Sequence, residues 1–172
     1  IYDYFLEHFS SKIEMKMPLP MMNILNGGAH ANNKLDFQEF MIQPVGFSSF
    51  KEGLICGVEV FNYLKKTLNQ KGFSTAVGDE GGFAPGIDSA EEALDLISSS
   101  IDAAGYKVDK DVTFALDCAA TELSNNNEYV FSNDERLSSG ELIEYLAKLA
   151  NSYPLTSIAV SYTHLTLPTR RF

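Results

Sequence analysis

Three segments of the chain carry apolar residues every three or four positions, and the same signal announces each of them. Ser49 with Glu52, Ser89 with Glu92 and Ser138 with Glu141 have the Ser-x-x-Glu spacing of a helix capping box. The first predicted helix sets Phe50, Leu54, Val58, Phe61, Leu64 and Leu68 on one stripe and stops at Gly72. The second carries Ala90, Leu94, Ile97 and Ile101 and stops at Gly105. The third carries Leu142, Ile143, Leu146 and Leu149, with Pro154 as its stop. Each helix therefore has one face to bury.

Short apolar runs between turn signals predict the strands. Residues 21–25 form one, turned by Asn26-Gly27-Gly28, and residues 37–45 form a second, ended by Pro44 and Gly46. The clearest is 112–117, which ends in Asp117 and is followed by the small residues Cys118, Ala119 and Ala120. Residues 155–158 are the last. Between them, 122–135 is polar, with Asn125-Asn126-Asn127 as a turn between short extended arms. The order strand, strand, helix, helix, strand, helix, strand predicts an α/β protein with a parallel sheet and helices outside it. So few strands over so long a run read as half of a larger sheet.

Composition narrows the classes. The 172 residues are 45% hydrophobic and 21% charged, which is ordinary globular usage, and the length suits one domain or part of one. With 23 acidic residues against 13 basic ones the net charge is −10. That balance excludes a nucleic-acid backbone or an anionic membrane as the expected partner and suits divalent cations. Cys56 and Cys118 lie in apolar-rich segments without metal-type spacing and read as buried free thiols of a reducing cytoplasm. No apolar run approaches the ~20 residues of a membrane span. The start, Ile1-Tyr2-Asp3-Tyr4, has no methionine and no basic-then-apolar signal, and reads as a chain entered midway.

Four places carry candidate chemistry. In Gly78-Asp79-Glu80-Gly81-Gly82, two carboxylates sit between glycines that allow tight turns and close approach to a ligand. A carboxyl held there beside other charges can have its pKa raised enough to donate a proton. His30 follows another glycine turn. Gln38 and Glu39 lie in a strand between Phe37 and Phe40 and project to opposite faces. A carboxylate in a barrel interior must be paired or ligand-linked. Asp117 ends a strand, where a parallel barrel presents its active face, and is a hard oxygen ligand suited to Mg²⁺. Each has a plainer reading by itself: an acidic surface turn, a structural histidine, a paired core carboxylate, a capping aspartate. Dinucleotide and phosphate-loop glycine signatures, a Gly-x-Ser-x-Gly elbow and a His-Glu-x-x-His pair do not occur.

Taken together, Met21-Met22-Asn23-Ile24-Leu25-Asn26-Gly27-Gly28-Ala29-His30, Gln38-Glu39-Phe40-Met41-Ile42-Gln43-Pro44, Val77-Gly78-Asp79-Glu80-Gly81-Gly82 and Leu116-Asp117-Cys118-Ala119-Ala120 resemble the enolase family. The resemblance runs in order from about Tyr2 to Ile158. It implies a partial TIM-type (β/α)8 barrel of the enolase kind, opening strand-strand-helix-helix. Residues 1–16 would be the end of an N-terminal domain and its connector, and 17–158 the first half of the barrel. It further implies a cytoplasmic, glycolytic lyase. The reaction would be the reversible, Mg²⁺-dependent dehydration of 2-phosphoglycerate to phosphoenolpyruvate, in a homo-oligomer, dimer or octamer, when full length. By similarity Glu80 is the general acid, His30, Gln38 and Glu39 line the substrate pocket, and Asp117 is one Mg²⁺ ligand. A lysine base, further metal ligands and phosphate-binding residues belong to the family's other half.

The resemblance breaks after Ile158. The family continues with a Glu-Asp pair whose glutamate is the second metal ligand, and Ala159 and Val160 stand there instead. Residues 161–172 match nothing in the family, hold two arginines and no acid, and read as a frameshift, a join or appended non-native sequence. The expectation is therefore an enolase fragment, inactive alone. The alternative is a non-catalytic binding or structural module derived from a half-barrel.

Overall fold

Each Ser-x-x-Glu signal does start a helix. The computed structural model describes Tyr4, Glu7, His8, residues 17–126 and residues 128–161. Apart from those first three residues, the expected connector over 1–16 lies outside the described residues, as does most of the expected tail. The elements in order are β1 (Met22–Asn26), β2 (Glu39–Gln43), α1 (Phe50–Gln70), α2 (Ala90–Ala103), β3 (Thr113–Asp117), α3 (Ala120–Leu123), β4 (Ser124–Asn125), β5 (Glu128–Val130), β6 (Arg136–Leu137), α4 (Ser139–Ser152) and β7 (Leu155–Ala159). Ser49 and Ser138 form complete capping boxes with Glu52 and Glu141, and the Ser89 side chain accepts the Glu92 amide. Each cap contributes about 1 kcal/mol by satisfying amides the helix leaves open.

The main sheet has the order β1-β2-β3-β7, but it is not the parallel sheet the sequence pattern predicts. β2 runs antiparallel to both β1 and β3, and only β3 and β7 are parallel. The reason is a matter of parity. A loop joins β1 to β2, so the chain returns antiparallel. The two helices between β2 and β3 add one more round trip and reverse it again. Only β3 and β7 are joined through a single long helix, which restores the same direction. The consequence is that β1, β3 and β7 end at the edge where β2 begins. Asn26 faces Glu39, Glu39 faces Asp117, and Asp117 faces Ala159. A second, three-stranded sheet β4-β5-β6 fills the polar stretch.

The core lies between the sheet and the helices. Ile24, Leu25, Phe40, Ile42, Phe114 and Leu116 from the strands meet Leu64, Leu68, Leu94, Ile97 and Ile101 from α1 and α2. One predicted face is wrong in its first half. Phe50, Leu54 and Val58 are exposed, and α1 buries Gly53, Cys56, Gly57 and Val60 there instead. The helix approaches β1 so closely that a Cβ on Gly57 would stand 2.0 Å from Met22 Cε. Close approach selects the small-residue face, which a search for bulky apolar residues overlooks. In α4, Leu142, Leu146 and Leu149 are buried as expected, but Ile143 is exposed. At the far end of the sheet the Gln43 carbonyl oxygen accepts from the Thr113 hydroxyl at 3.3 Å and from the Thr156 hydroxyl. Among the described residues no helix is long and apolar enough to cross a membrane.

These burial differences set a testable contrast on one helix. Leu64→Ala should lower the urea-unfolding free energy by about 2–5 kcal/mol. Val58→Ala, on the stripe the periodicity favoured, should change it by less than about 0.5 kcal/mol.

Candidate functional site

The site gathers where β1, β3 and β7 end. Glu80 arrives on a tight turn docked against the β1 edge. Phe83 N–H donates to Ile24 C=O and Asn26 N–H donates to Phe83 C=O, both at 2.9 Å, so the segment extends the sheet. Gly78 N–H closes the turn on Gly82 C=O at 2.8 Å. The glycines are required by proximity. A Cβ on Gly82 would stand 2.6 Å from Asn26 Oδ1 and 2.9 Å from Leu25 N, and one on Gly78 would stand 2.6 Å from His30 O. Phe83 also stacks on Phe61 of α1, ring centroids 4.2 Å apart and 6° from coplanar. The turn is thus fastened on two sides.

His30 is delivered by a single 3₁₀ turn, Gly28–His30, directly after β1. Its carbonyl accepts the Asp79 amide at 3.2 Å, tying its loop to the Glu80 turn. His30 Nδ1 lies 3.2 Å from Glu80 Oε1, and Gln38 Nε2 lies 2.7 Å from His30 Nε2 and 3.0 Å from its Nδ1. Glu39 opens β2 and completes the group. Ligand atoms of His30, Glu39 and Glu80 all lie within 4.8 Å of one another. Asp117, opposite Glu39 across the sheet, stands beside this trio, its Oδ1 accepting the Ala119 amide at 2.9 Å. All five residues singled out in the sequence therefore reach one end of the sheet.

Electrostatics there are dominated by crowded carboxyls. Burial is the first cause that lifts the Glu39 pKa to about 7, followed by its hydrogen bond to Glu80 and the charges of Glu80 and Asp117. Glu39 therefore keeps its proton to near-neutral pH. A raised pKa of the kind a proton donor needs is thus found at Glu39. The thiols take no part. Burial pushes Cys56 and Cys118 to about 12, with Asp117 adding to the second.

Two asparagines escaped the sequence reading. Asn26, taken only as a turn residue, is fully buried beneath Gly78 and Gly82, and its amide has no hydrogen-bond partner among the described residues. Asn33 Nδ2 donates to Asn26 C=O at 2.9 Å and to Pro85 C=O at 3.0 Å, clamping the His30 loop to the segment after Glu80. The polar run around Asn33 carries no signal for that role. The residues whose ligand atoms come together as they would for a metal ion are His30, Glu39 and Glu80, and Asp117 ends the strand next to Glu39. The next position in that row is the methyl of Ala159.

Among families of known proteins, the one described as "Enolase, C-terminal TIM barrel domain" matches residues 14–165. The match spans every strand of the main sheet and every residue of the site.

The Glu39 shift sets a pH dependence. Because its carboxyl binds a proton more tightly folded than unfolded, the stabilisation is complete below its ordinary value of 4.5 and is lost as pH rises toward about 7. The melting temperature should fall between pH 5 and pH 8, and Glu39→Gln should flatten that slope in a thermal-shift series.

Proposed function

The chain belongs to the enolase C-terminal barrel family, and on that premise we propose that its sheet end is the proton-donating half of a dehydration site. The reaction is the interconversion of 2-phosphoglycerate and phosphoenolpyruvate. The observation that carries this reading is the convergence of His30, Glu39 and Glu80 within 4.8 Å beside Asp117. Hydroxide is a poor leaving group, and an acid placed against it removes that obstacle. Glu80 is exposed enough to meet a substrate, lies 3.2 Å from His30 Nδ1 and is hydrogen-bonded to Glu39. In this reading the proton held by Glu39 passes to Glu80 and from it to the departing hydroxyl, which leaves as water. Gln38 holds the His30 ring, and both line the substrate pocket. Asp117 would hold Mg²⁺, which would supply charge stabilisation for the carbanionic character that proton loss beside a carboxylate creates. The chain then works as part of a larger cytoplasmic, oligomeric lyase.

A specific observation favours a second reading. Ala159 lies opposite Asp117, where a carboxylate would add an oxygen ligand and alanine offers none. A chain with that defect serves better as a binding or structural module than as a catalyst.

Two substitutions separate the readings. In the complete enzyme carrying these residues, Glu80→Gln should cut phosphoenolpyruvate formation by about 10²-fold or more while substrate binding persists. Unchanged turnover would remove Glu80 from the acid role. In the chain itself, Ala159→Glu should tighten Mg²⁺ binding about tenfold by calorimetry, since carboxylate count sets affinity at such sites. No gain would mean that Asp117 is not held as a metal ligand.

A further inference from the structure

Asn26 ends β1 directly beneath the Glu80 turn, and its backbone is tied to the site on three sides. Its N–H donates to Phe83 C=O at 2.9 Å, its C=O accepts from Asn33 Nδ2 at 2.9 Å, and it pairs across the sheet with Glu39. Its side chain lies against both feet of the turn. A Cβ on Gly78 would stand 2.8 Å from Asn26 Cβ and 3.0 Å from its Cγ, and one on Gly82 would stand 2.6 Å from its Oδ1. The residue is fully buried, yet neither Oδ1 nor Nδ2 has a hydrogen-bond partner among the described residues. Such groups are rare in folded proteins, because a buried donor or acceptor left unpaired is destabilising.

We propose that Asn26 is a positioning residue for Glu80, an inference that rests on the dehydration reading of the site. Two observations select that role. The first is energetic. An amide that makes no hydrogen bond adds nothing to the fold that an apolar side chain would not supply at lower cost. Stability therefore does not account for an asparagine here. The second is geometric. The amide is a flat group, and both glycines close on it nearer than a Cβ would permit. A flat side chain beneath the turn sets how far Gly78 and Gly82 stand from β1, and with them the Glu80 carboxyl. A branched apolar side chain is thicker and would lift the turn, whereas alanine would leave space into which it could sink. In either case Glu80 Oε1 would leave its place 3.2 Å from His30 Nδ1. Misplacement of a reacting group by about 1 Å can lower a rate by about 10²-fold.

The test takes Asn26→Ala and Asn26→Leu, read in two ways. In the chain itself, melting temperature and NMR amide order parameters are measured. Asn26→Ala should melt within a few degrees of the parent, because removal of the unpaired amide offsets the lost packing. The amides of Asp79, Glu80 and Gly81 should lose order while that of Phe83 stays rigid. In the complete enzyme carrying these residues, both variants should lower kcat about tenfold or more, with KM within about twofold of the parent. A residue that served packing alone would lower the melting temperature and leave kcat per folded molecule unchanged. Parent-like order at 79–81 in the folded variants, or an unchanged kcat in both, would overturn the proposal, as would failure of both variants to fold. Glu80→Gln separates this inference from the reading beneath it. If that variant is inactive while Asn26→Ala is fully active, only the role of Asn26 falls. If Glu80→Gln keeps normal turnover, the dehydration reading falls, and the order parameters alone decide whether Asn26 places the turn.

Discussion

Two backbone hydrogen bonds between Phe83 and β1 hold the site together. Without them the Glu80 turn would have no fixed relation to the sheet, and β1 would present open amides and carbonyls along its edge. With them, Phe83 acts as a rung of a further strand, and its ring closes against Phe61 on α1. The fit leaves no room for side chains at Gly78 or Gly82, because Asn26 and the β1 backbone occupy that space. Glu80 therefore sits at the tip of a turn whose two feet are pressed to the sheet. Preorganisation of this kind lets a flexible side chain such as glutamate present a carboxyl in a narrow range of positions.

Strand direction does the rest. Because β2 alone runs against its neighbours, its first residue, Glu39, lies level with the last residues of β1 and β3. The cross-strand row from Asn26 to Asp117 then places two carboxyls on adjacent strands, and the Glu80 turn adds a third above them. Burial raises the Glu39 pKa first, and the hydrogen bond to Glu80 and the like charges of Glu80 and Asp117 raise it further, so Glu39 retains its proton. The opposite end of the sheet shows the contrast. There Gln43, Thr113 and Thr156 satisfy one another with neutral hydrogen bonds, an arrangement that stitches strands without shifting any acid.

Most of this was legible in the sequence, for reasons that can be named. Capping boxes are local, so Ser49, Ser89 and Ser138 declared their helices through side chains only three residues away. Strand positions followed from apolar runs, and the site residues from glycine-flanked or strand-terminal carboxyls. The direction of β2 was not legible, since alternation of elements does not encode the parity of the returns. The face of α1 was misread because periodicity weighs bulk, whereas packing against Met22 rewards Gly53 and Gly57. Asn26 and Asn33 were hidden for a related reason. Their roles depend on a segment more than fifty residues further on, and their type suits any turn. The raised pKa of Glu39 was not legible because its first cause is desolvation, a property of the folded sheet.

The segment 34–39 runs from the cavity beside Asp36 to the Glu80 site. Lys34 C=O and the Asp36 carboxylate accept from Ser132, fixing this segment to the β5–β6 hairpin. Asp36 and Phe37 line that cavity, while Gln38 and Glu39 face the Glu80 turn. Gln38 N–H also donates to Asp117 C=O, so the chain passes directly from one pocket into the hydrogen-bonded edge of the other. Phe37 is packed too tightly among aromatic rings to absorb a displacement by bending.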